Sequence, residues 1–564
     1  MFCFFRHDVR WVVSRTNREY LQYLAAGAGI SPALAQILIN RKISTPEDAE
    51  RFLKGSTDDL RDPFLLAGMD RAVARIRRAA ESGEMVVIHG DYDVDGLTST
   101  AIMMESLRTI GVNARFIIPN RLTDGYGLSE SSVRRAASLG ARLIVTVDCG
   151  ISAVGEVGLA NSLGMDVVIT DHHSQTGELP DAVAVVNPHR TGSDYPFSDL
   201  AGAGVAWKVA EALAGRARAM EWIDLAAMGT VADVVPLLDE NRVIVRAGLL
   251  AMNVAPRPGV RALLQVAGAA DKPVTGTTIG FALGPRMNAA GRLGDAAPVV
   301  DLLMTEREDQ ALAIAGFLHE NNRQRQEIEA ELLKSARAMI DPADNGVAVA
   351  YAEGWHHGVL GIAAARLADE FSRPVILLSV ENGLAKGSGR SIPPFDLTGA
   401  LSRCADMLVG FGGHHQAAGV RIQTGRIDEF RARMSAILAA ELDGKPYLPS
   451  LRIDAAVSLS EVSYALAREI AMLEPFGCGN PEPVLGCKGV EPQEFRIVGK
   501  NHLKMRLRQG LSTLDSIGFD MGGDAVRLQD AGLIDAAFTP QLNEWNGRVS
   551  VQLNLKGVRA GSGA

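Results

Sequence analysis

The sequence predicts an α/β chain built as successive bodies: a domain around a mainly parallel sheet, a smaller α/β domain reached through a long helix, and a small β-barrel. Three observations carry this. Apolar runs of strand length, Met85–Ile88, Leu143–Val147 and Asp166–Thr170, alternate with helical patterns, as βαβ units do. From Asp301 to about Ile340 the pattern is one long polar helix, including Glu320-Asn321-Asn322-Arg323-Gln324-Arg325-Gln326-Glu327, of the kind that bridges two bodies. Beyond residue 450 short strands and turns take over, and His502–Arg508 alternates strictly between apolar and basic or ionisable residues.

Taken in order, residues 1–70 read as a helical region, with Ile30-Ser31-Pro32 and Ser44-Thr45-Pro46-Glu47 as cap-plus-proline helix starts. Met1–Phe5 is apolar, but Arg6, His7, Asp8 and Arg10 interrupt it, so it reads as a loose terminus rather than a signal peptide. The parallel-sheet domain spans 71–300 and the connecting helix 301–340. A second α/β unit follows at 341–446, with strands near Val347–Tyr351 and Val375–Val380, and ends at the turn-rich Asp443-Gly444-Lys445-Pro446. Residues 447–564 form the barrel. An OB-fold, which binds single strands on such a basic face, suits the 502–508 pattern, and a merely solvated strand face fits it equally.

Composition narrows the class. In 564 residues, 47% are hydrophobic and 22% charged, which is ordinary for a globular protein. No apolar run approaches the ~18 residues of a membrane span, so no membrane partner is expected. Cys3, Cys149, Cys404, Cys478 and Cys487 are scattered, without a C-x-x-C pair, which argues against a zinc ribbon or disulfide framework and for a reducing cytoplasm. The net charge of −9 argues against wholesale coating of nucleic acid but leaves room for a local basic groove.

The chemistry gathers at strand ends. In His89-Gly90-Asp91-Tyr92-Asp93-Val94-Asp95-Gly96, three carboxylates stand on alternate positions straight after an apolar strand, where open α/β sheets bind ligands. Acids this close repel unless protonated or bridged by cations, so the stretch reads as a metal site. Asp148-Cys149-Gly150, Asp171-His172-His173 and Val231-Ala232-Asp233 also sit after apolar runs or at element ends. Gly412-Gly413-His414-His415-Gln416 adds more imidazoles. One Asp after a strand is usually a helix N-cap. Here, however, six of eleven histidines fall in adjacent pairs, and separate structural explanations for every position become improbable together. A carboxylate and imidazole set suits Mn²⁺ or a similar octahedral ion.

Read in order, HGDYDVDG, DCG, DHH, VADVVPL and GGHHQAAG resemble the motifs of the DHH phosphoesterase superfamily, and within it those of the RecJ family of single-strand-specific 5′→3′ DNA exonucleases. The resemblance runs from Arg41-Lys42-Ile43 into the barrel and includes Gly284–Arg292 and Gly387–Ser391. It implies a DHH catalytic domain at 71–300, a DHHA1 substrate-binding domain at 341–446 and an OB-like nucleic-acid-binding domain at 447–564. It also implies two ions, Mn²⁺ or Mg²⁺, one held by His89, Asp93 and Asp148 and the other by Asp95, His172 and Asp233, with Asp148 bridging. Asp91 is left a structural or supporting part, and His173 a supporting or substrate-facing one. Arg292 is the candidate transition-state donor. His415 is a candidate phosphate contact or leaving-group acid, and His414 is equally well structural.

On the same resemblance, Arg121, Ser388 and Arg390 grip a terminal phosphate, and the basic barrel face adds Lys504 and Arg506 as strand contacts. Arg323 and Arg325 are placed along the strand's route. The implied function is two-metal hydrolysis of single-stranded DNA to 5′-mononucleotides in recombination and repair, in the cytoplasm, with a single-strand-binding protein and a RecQ-like helicase as partners. The alternatives are a short-oligonucleotide phosphodiesterase of the same superfamily, which usually lacks the barrel, and a non-catalytic strand-binding replication scaffold. Such scaffolds lose ligands, whereas every carried-over position here is Asp or His. A P-loop helicase is excluded, since no G-K-[ST] occurs.

Overall fold

The computed structural model describes residues 9–121, 123–545 and 547–561; Met1–Phe5, read above as a loose terminus, lies outside them. The chain divides into two compact units, Ser56–Tyr447 and the segments before and after it.

The larger unit is organised by five parallel strands, β1 (Met85–His89), β2 (Asn113–Ile117), β3 (Ala141–Val147), β4 (Asp166–Thr170) and β5 (Ala184–Val186), in the order β2-β1-β3-β4-β5. The apolar runs fit this because parallel strands flanked by helices are buried on both faces; Val86, Val87, Leu143, Val145, Val167 and Val168 are fully buried. The order reverses between β1 and β3. A crevice therefore opens beyond the carboxyl ends of those two strands, the place where such sheets take ligands. Helix α1 (Val94–Thr109) leaves β1 there, and α2 (Gly202–Ala214) and α3 (Ile223–Ala232) pack beside it, buried on nearly every side. That is why their sequences show no clean apolar stripe.

Helix α4 (Gly284–Leu293) leads to α5 (Ala297–Met304) and α6 (Glu308–Met339). The single helix expected over 301–340 is thus two. The apolar α5 buries Val299, Val300, Leu302 and Leu303, the backbone turns extended at Thr305 and Arg307, and a new helix starts with Glu308 and Asp309 at its positive end. The bridging role does hold for α6. Its Ala311, Ala315 and Leu318 join the main core, while Leu332, Leu333 and Ala336 join a second core around α7 (His357–Phe371). That second lobe carries a mixed sheet, β6 (Ala348–Glu353), β7 (Val375–Glu381), β8 (Leu384–Arg390), β9 (Leu408–His414) and β10 (Ala417–Gln423), ordered β9-β10-β8-β7-β6.

The second unit joins the chain's two ends. Helices Arg18–Ala28, Pro32–Asn40 and Pro46–Lys54 are capped by the side chains of Asn17, Ser31 and Thr45, the last two as the cap-plus-proline signals required. Leu24, Leu34 and Ile37 share one core with Leu485, Leu503 and Phe538 of a closed barrel. Its strands are Leu485–Val498, His502–Gln509, Ser512–Gly518, Ile534–Trp545 and Arg548–Ala560, and pairing of the first with the fourth completes the closure. The helical region expected over 1–70 is therefore divided: residues up to Gly55 belong here, with a strand, Arg10–Val13, paired to Ser450–Ile453, and the rest belongs to the larger unit. Among the described residues, no single helix is long and apolar enough to cross a membrane.

Candidate active site

At the switch point the loop after β1 turns directly into α1. Asp93 is the N-cap, its Oδ1 accepting from the Asp95 and Gly96 amides at 3.1 and 3.2 Å. The second residue of the helix, Asp95, accepts from the Gly202 and Ala203 amides at the start of α2, at 2.7 and 2.8 Å. Asp148 follows β3 with φ +59°. Gly202 must be glycine for this meeting to occur: a Cβ there would stand 2.7 Å from Asp148 Oδ1. His172 follows β4, and Asp233 ends α3.

Three overlapping groups of ligand atoms lie within 4.8 Å of one another: Asp91, Asp93 and Asp148; Asp95, His172 and Asp233; and Asp148, His172 and His173. His172 Nε2 stands 3.1 Å from Asp148 Oδ1, 3.6 Å from Asp233 and 3.8 Å from Asp95. The buried Nε2 of His172, Oδ1 of Asp148 and Oδ1 of Asp91 nonetheless make no hydrogen bond. Orphaned buried polar atoms, aimed at one another, are what an ion-binding set shows when its own atoms cannot satisfy it.

The electrostatics agree. Two like charges about 4 Å apart repel by about 4 kcal/mol at an effective dielectric of 20. Burial, then Asp93, pushes Asp95 up to about 7; burial, then Asp95 and Asp93, pushes Asp233 up to about 8. Asp91 and Asp148 are raised well above the ordinary carboxylate range by burial and by the neighbouring acids. Burial holds His172 down at about 4, neutral and ready to ligate. Without cations this cluster is expected to carry protons; the residues fit a divalent pair.

The surrounding groups fix the ligands. Asp171 accepts from the amides of Ile151, His172 and His173 and lies 2.8 Å from His173 Nδ1. Burial works against a charged His173, but Asp171 outweighs it and lifts this imidazole to about 9. The Tyr126 hydroxyl donates to the Asp148 carbonyl and sits 3.0 Å from His173 Nδ1.

Opposite the acids stands a group of guanidinium ions. Arg292 donates to the Gly358 carbonyl at 3.0 Å, and burial, then Arg121 and Arg325, lowers it to about 10. Arg390 donates to Ser388 Oγ at 2.8 Å and is lowered by burial and by Arg121. Arg121 lies over the Tyr92 ring at 4.8 Å. A cluster of guanidinium ions this buried calls for an anion, and phosphate is the natural one. Gly387-Ser388-Gly389 lies within the strand β8. A Cβ on Gly387 would fall 1.8 Å from the Leu377 carbonyl, so that glycine serves the close approach of β7.

Most sequence-predicted residues meet here, with exceptions. Asp91, given a supporting part from the sequence, joins Asp93 and Asp148. His89 belongs to none of the three groups; it is buried with its Nδ1 3.7 Å from Cys149 Sγ, and its Nε2 makes no hydrogen bond. His415 is exposed and faces Asp396 at 3.5 Å rather than the cluster. Arg323 is occupied by Glu320 and Glu327, and Arg325 is buried against Asn322 and Glu329, so neither is a free cation on a strand's path. On the barrel, Arg506 pairs with Glu494 and Asp515, and Arg508 with Glu491, whereas Lys504 faces Arg496 across the strands. The basic face is largely neutralised. Sequence reasoning missed Tyr126 and the organising role of Asp171. The only signal for Tyr126 was its place between Gly125 and Gly127, both of which adopt positive φ.

Comparison with known proteins places this geometry. Residues 85–230 match the DHH family, N-terminal domain, residues 344–440 the DHHA1 domain and residues 453–557 the RecJ OB domain. The single-stranded-DNA-specific exonuclease RecJ of Bacillus subtilis (strain 168) is 38% identical over 97% of this chain and 70% of its own length. That of Escherichia coli (strain K12) is 34% identical over 96% of this chain and 98% of its own. The crystal structure of RecJ in complex with Mn²⁺ from Thermus thermophilus matches 98% of this chain and 80% of that one, with a TM-score of 0.84 and 29% identity; a Mg²⁺ complex of RecJ from the same organism matches at 0.77. With carboxylates and imidazoles converging at the switch point, arginines facing them and the domains in the same succession, this chain belongs to the RecJ family of metal-dependent, single-stranded-DNA-specific exonucleases.

Proposed function

We propose that the protein digests single-stranded DNA from its 5′ end, releasing 5′-mononucleotides, and that Asp148 is the carboxylate common to two Mn²⁺ or Mg²⁺ ions. The observation that carries this is the overlap of the ligand groups. Asp148 belongs to one group with Asp91 and Asp93 and to another with His172, while His172 closes a third with Asp95 and Asp233. One ion is assigned to Asp91, Asp93 and Asp148, the other to Asp95, His172 and Asp233, with Asp148 reaching both. His89, whose buried Nε2 also makes no hydrogen bond, stands beside the first set as a further candidate ligand while its Nδ1 faces Cys149. When bound, such ions acidify water and offset the charge that builds on a phosphate under attack.

The protein's own groups do the rest. Asp171 and Tyr126 hold His173 and the Asp148 backbone in place. Arg292, pinned by the Gly358 carbonyl, presents its remaining donors to the non-bridging oxygens of the scissile phosphate, where they bind best as charge grows. Arg121, Ser388 and Arg390 hold the terminal 5′-phosphate, whose extra charge sets it apart from an internal phosphate. The phosphorus between the first two nucleotides gains a water oxygen and loses the 3′ oxygen, so one mononucleotide departs and the shortened strand keeps a 5′-phosphate. Of the barrel cations, Lys504 is the better strand contact, and Arg506 contributes once its acidic partners are displaced. Catalytic, substrate-binding and nucleic-acid-binding domains are proposed over 71–300, 341–446 and 447–564, the first widened to begin at Ser56 and to take in all of α5.

A role in recombination and repair is consistent with the family. A single-strand-binding protein and a RecQ-like helicase are proposed partners, and a reducing cytoplasm suits the free thiols of Cys149, Cys404, Cys478 and Cys487. The deciding experiment is hydrolysis of 5′-phosphorylated single-stranded DNA with Mn²⁺ or Mg²⁺ by wild type and Asp148→Ala. Loss of at least about 10³-fold is expected, in line with removing a shared metal ligand; an active variant defeats the bridging role.

A further inference from the structure

Beside the arginine group lies a cavity of about 560 Å³ that the reaction above does not use. Arg121, Trp355, His356, His357, Glu381 and Lys386 line it, and none of the metal-binding carboxylates does. Its position follows from strand register. Lys386, Ser388 and Arg390 occupy alternate positions of β8 and so share one face. With about 3.3 Å per residue, Lys386 stands about 7 Å beyond Ser388, on the side away from Arg390. Across the strands it pairs with Ser379, another cavity residue, and the amino end of α7 closes the far wall with His356 and His357. Arg121 belongs both to the terminal-phosphate set and to the cavity. The space therefore continues outward from the grip on the terminal phosphate.

We propose that this cavity admits a nucleoside joined to the 5′ end through a 5′,5′-pyrophosphate, so that the enzyme accepts nucleotide-capped strands as well as 5′-phosphorylated ones. This rests on the assignment of Arg121, Ser388 and Arg390 to the terminal phosphate. The volume is in the range of small-molecule sites, far more than one phosphate requires. Arg121 and Lys386 supply cations for the second phosphate. The Trp355 indole offers the apolar surface on which a base stacks, and Glu381 and Ser379 offer partners for its polar edge or for sugar hydroxyls. The chemistry does not change. Water adds to the phosphorus between the first two nucleotides, the bond to the 3′ oxygen breaks, and that oxygen takes up a proton. The first product is a dinucleoside 5′,5′-diphosphate with a free 3′-hydroxyl, and the remaining strand carries an ordinary 5′-phosphate.

The test uses one oligonucleotide sequence with three ends: 5′-phosphate, 5′-triphosphate and 5′-adenylyl. Products are read by mass spectrometry for the wild type, Trp355→Ala and the exposed Lys386→Ala, which spares the fold. Wild type is expected to degrade the adenylylated strand within about tenfold of the 5′-phosphorylated one and to release the intact dinucleoside diphosphate first. Each variant should lose about tenfold in kcat/KM on the adenylylated strand and under about twofold on the 5′-phosphorylated one. Resistance of the adenylylated strand while the 5′-phosphorylated strand is digested overturns the proposal and leaves the end-binding assignment standing. Digestion of the triphosphate alone overturns the nucleoside part, and equal losses on all ends in Lys386→Ala overturn the whole. An Arg390→Ala variant indistinguishable from wild type on the 5′-phosphorylated strand would defeat the end-binding assignment itself.

Discussion

Two charged regions of this molecule look alike in the sequence and differ in the structure. At the edge of the parallel sheet, Asp91, Asp93, Asp95, Asp148 and Asp233 crowd together, most of them buried, and a buried oxygen of Asp91 and one of Asp148 lack hydrogen bonds. On the barrel strand His502–Gln509, exposed cations alternate just as regularly, yet Glu491, Glu494 and Asp515 on the neighbouring strands answer Arg508 and Arg506. The lesson concerns balance rather than density. Charge that is buried and unbalanced calls for a partner from outside the chain, whereas exposed charge already paired gains little from one.

The contrast is tested most severely inside the acidic cluster. Asp91→Asn is expected to cut kcat on 5′-phosphorylated single-stranded DNA by about 10³-fold, and His89→Asn by far less. A larger loss at His89, with circular dichroism unchanged, would admit that residue to the ligand set. Next comes acidity. Asp95 and Asp233 titrate near 7 and 8 in the folded protein against an ordinary value of 3.8, so between these limits the native state binds more protons than the unfolded one. The contribution of these two carboxyls to stability without metal is then fully present below about pH 4 and lost as pH rises through about 7 and 8, while His89 and His172, both lowered to about 4, act in the opposite sense below about 6.5. Denaturant titrations in chelator at pH 5 and pH 8 should show the decline, and Mn²⁺ should reverse it at pH 8. A flat profile would mean the cluster is not strained.

The facing arginines should respond more modestly. Arg390→Ala is expected to lower the preference for a 5′-phosphate over a 5′-hydroxyl end by about tenfold, as loss of a charge-assisted contact would. Competition between the two ends in one reaction measures it directly. On the barrel the effects should be smallest. Arg506→Ala should change affinity for single-stranded DNA less than about twofold, while Lys504→Ala lowers the salt slope by about one. Glu491→Gln with Glu494→Gln should raise affinity by releasing the two arginines; no change in the salt dependence of that double variant would break the comparison.

The strands and the acids at their ends were legible because a parallel strand buried on both faces leaves an uninterrupted apolar run, and the polar residue that stops it is conspicuous. Helix starts at Ser31 and Thr45 were legible for the same local reason. What local pattern cannot carry is the identity of a residue's neighbours. Asp91 and His89 stand two apart at one strand end, and only the folded loop brings Asp91 into one group with Asp93 and Asp148. The neutralised barrel face is a cross-strand property, invisible along a single strand. The break at Thr305 was hidden because α5 and α6 are both helical, and so short an interruption barely disturbs a long periodic window. Tyr126 holds His173 from a loop whose only mark is a pair of glycines.

The double duty of Asp95 matters for anyone seeking an inert form of the enzyme to capture a bound strand. Its carboxylate is also the hydrogen-bond acceptor for the first amides of α2. Removing it would loosen a buried helix as well as emptying a ligand position, and a failed capture would then have two explanations. Among the described hydrogen bonds the Asp148 carboxylate accepts from no backbone amide, whereas the His172 imidazole is also tied to the Leu200 backbone, which makes Asp148 the cleaner choice for a silent decoy.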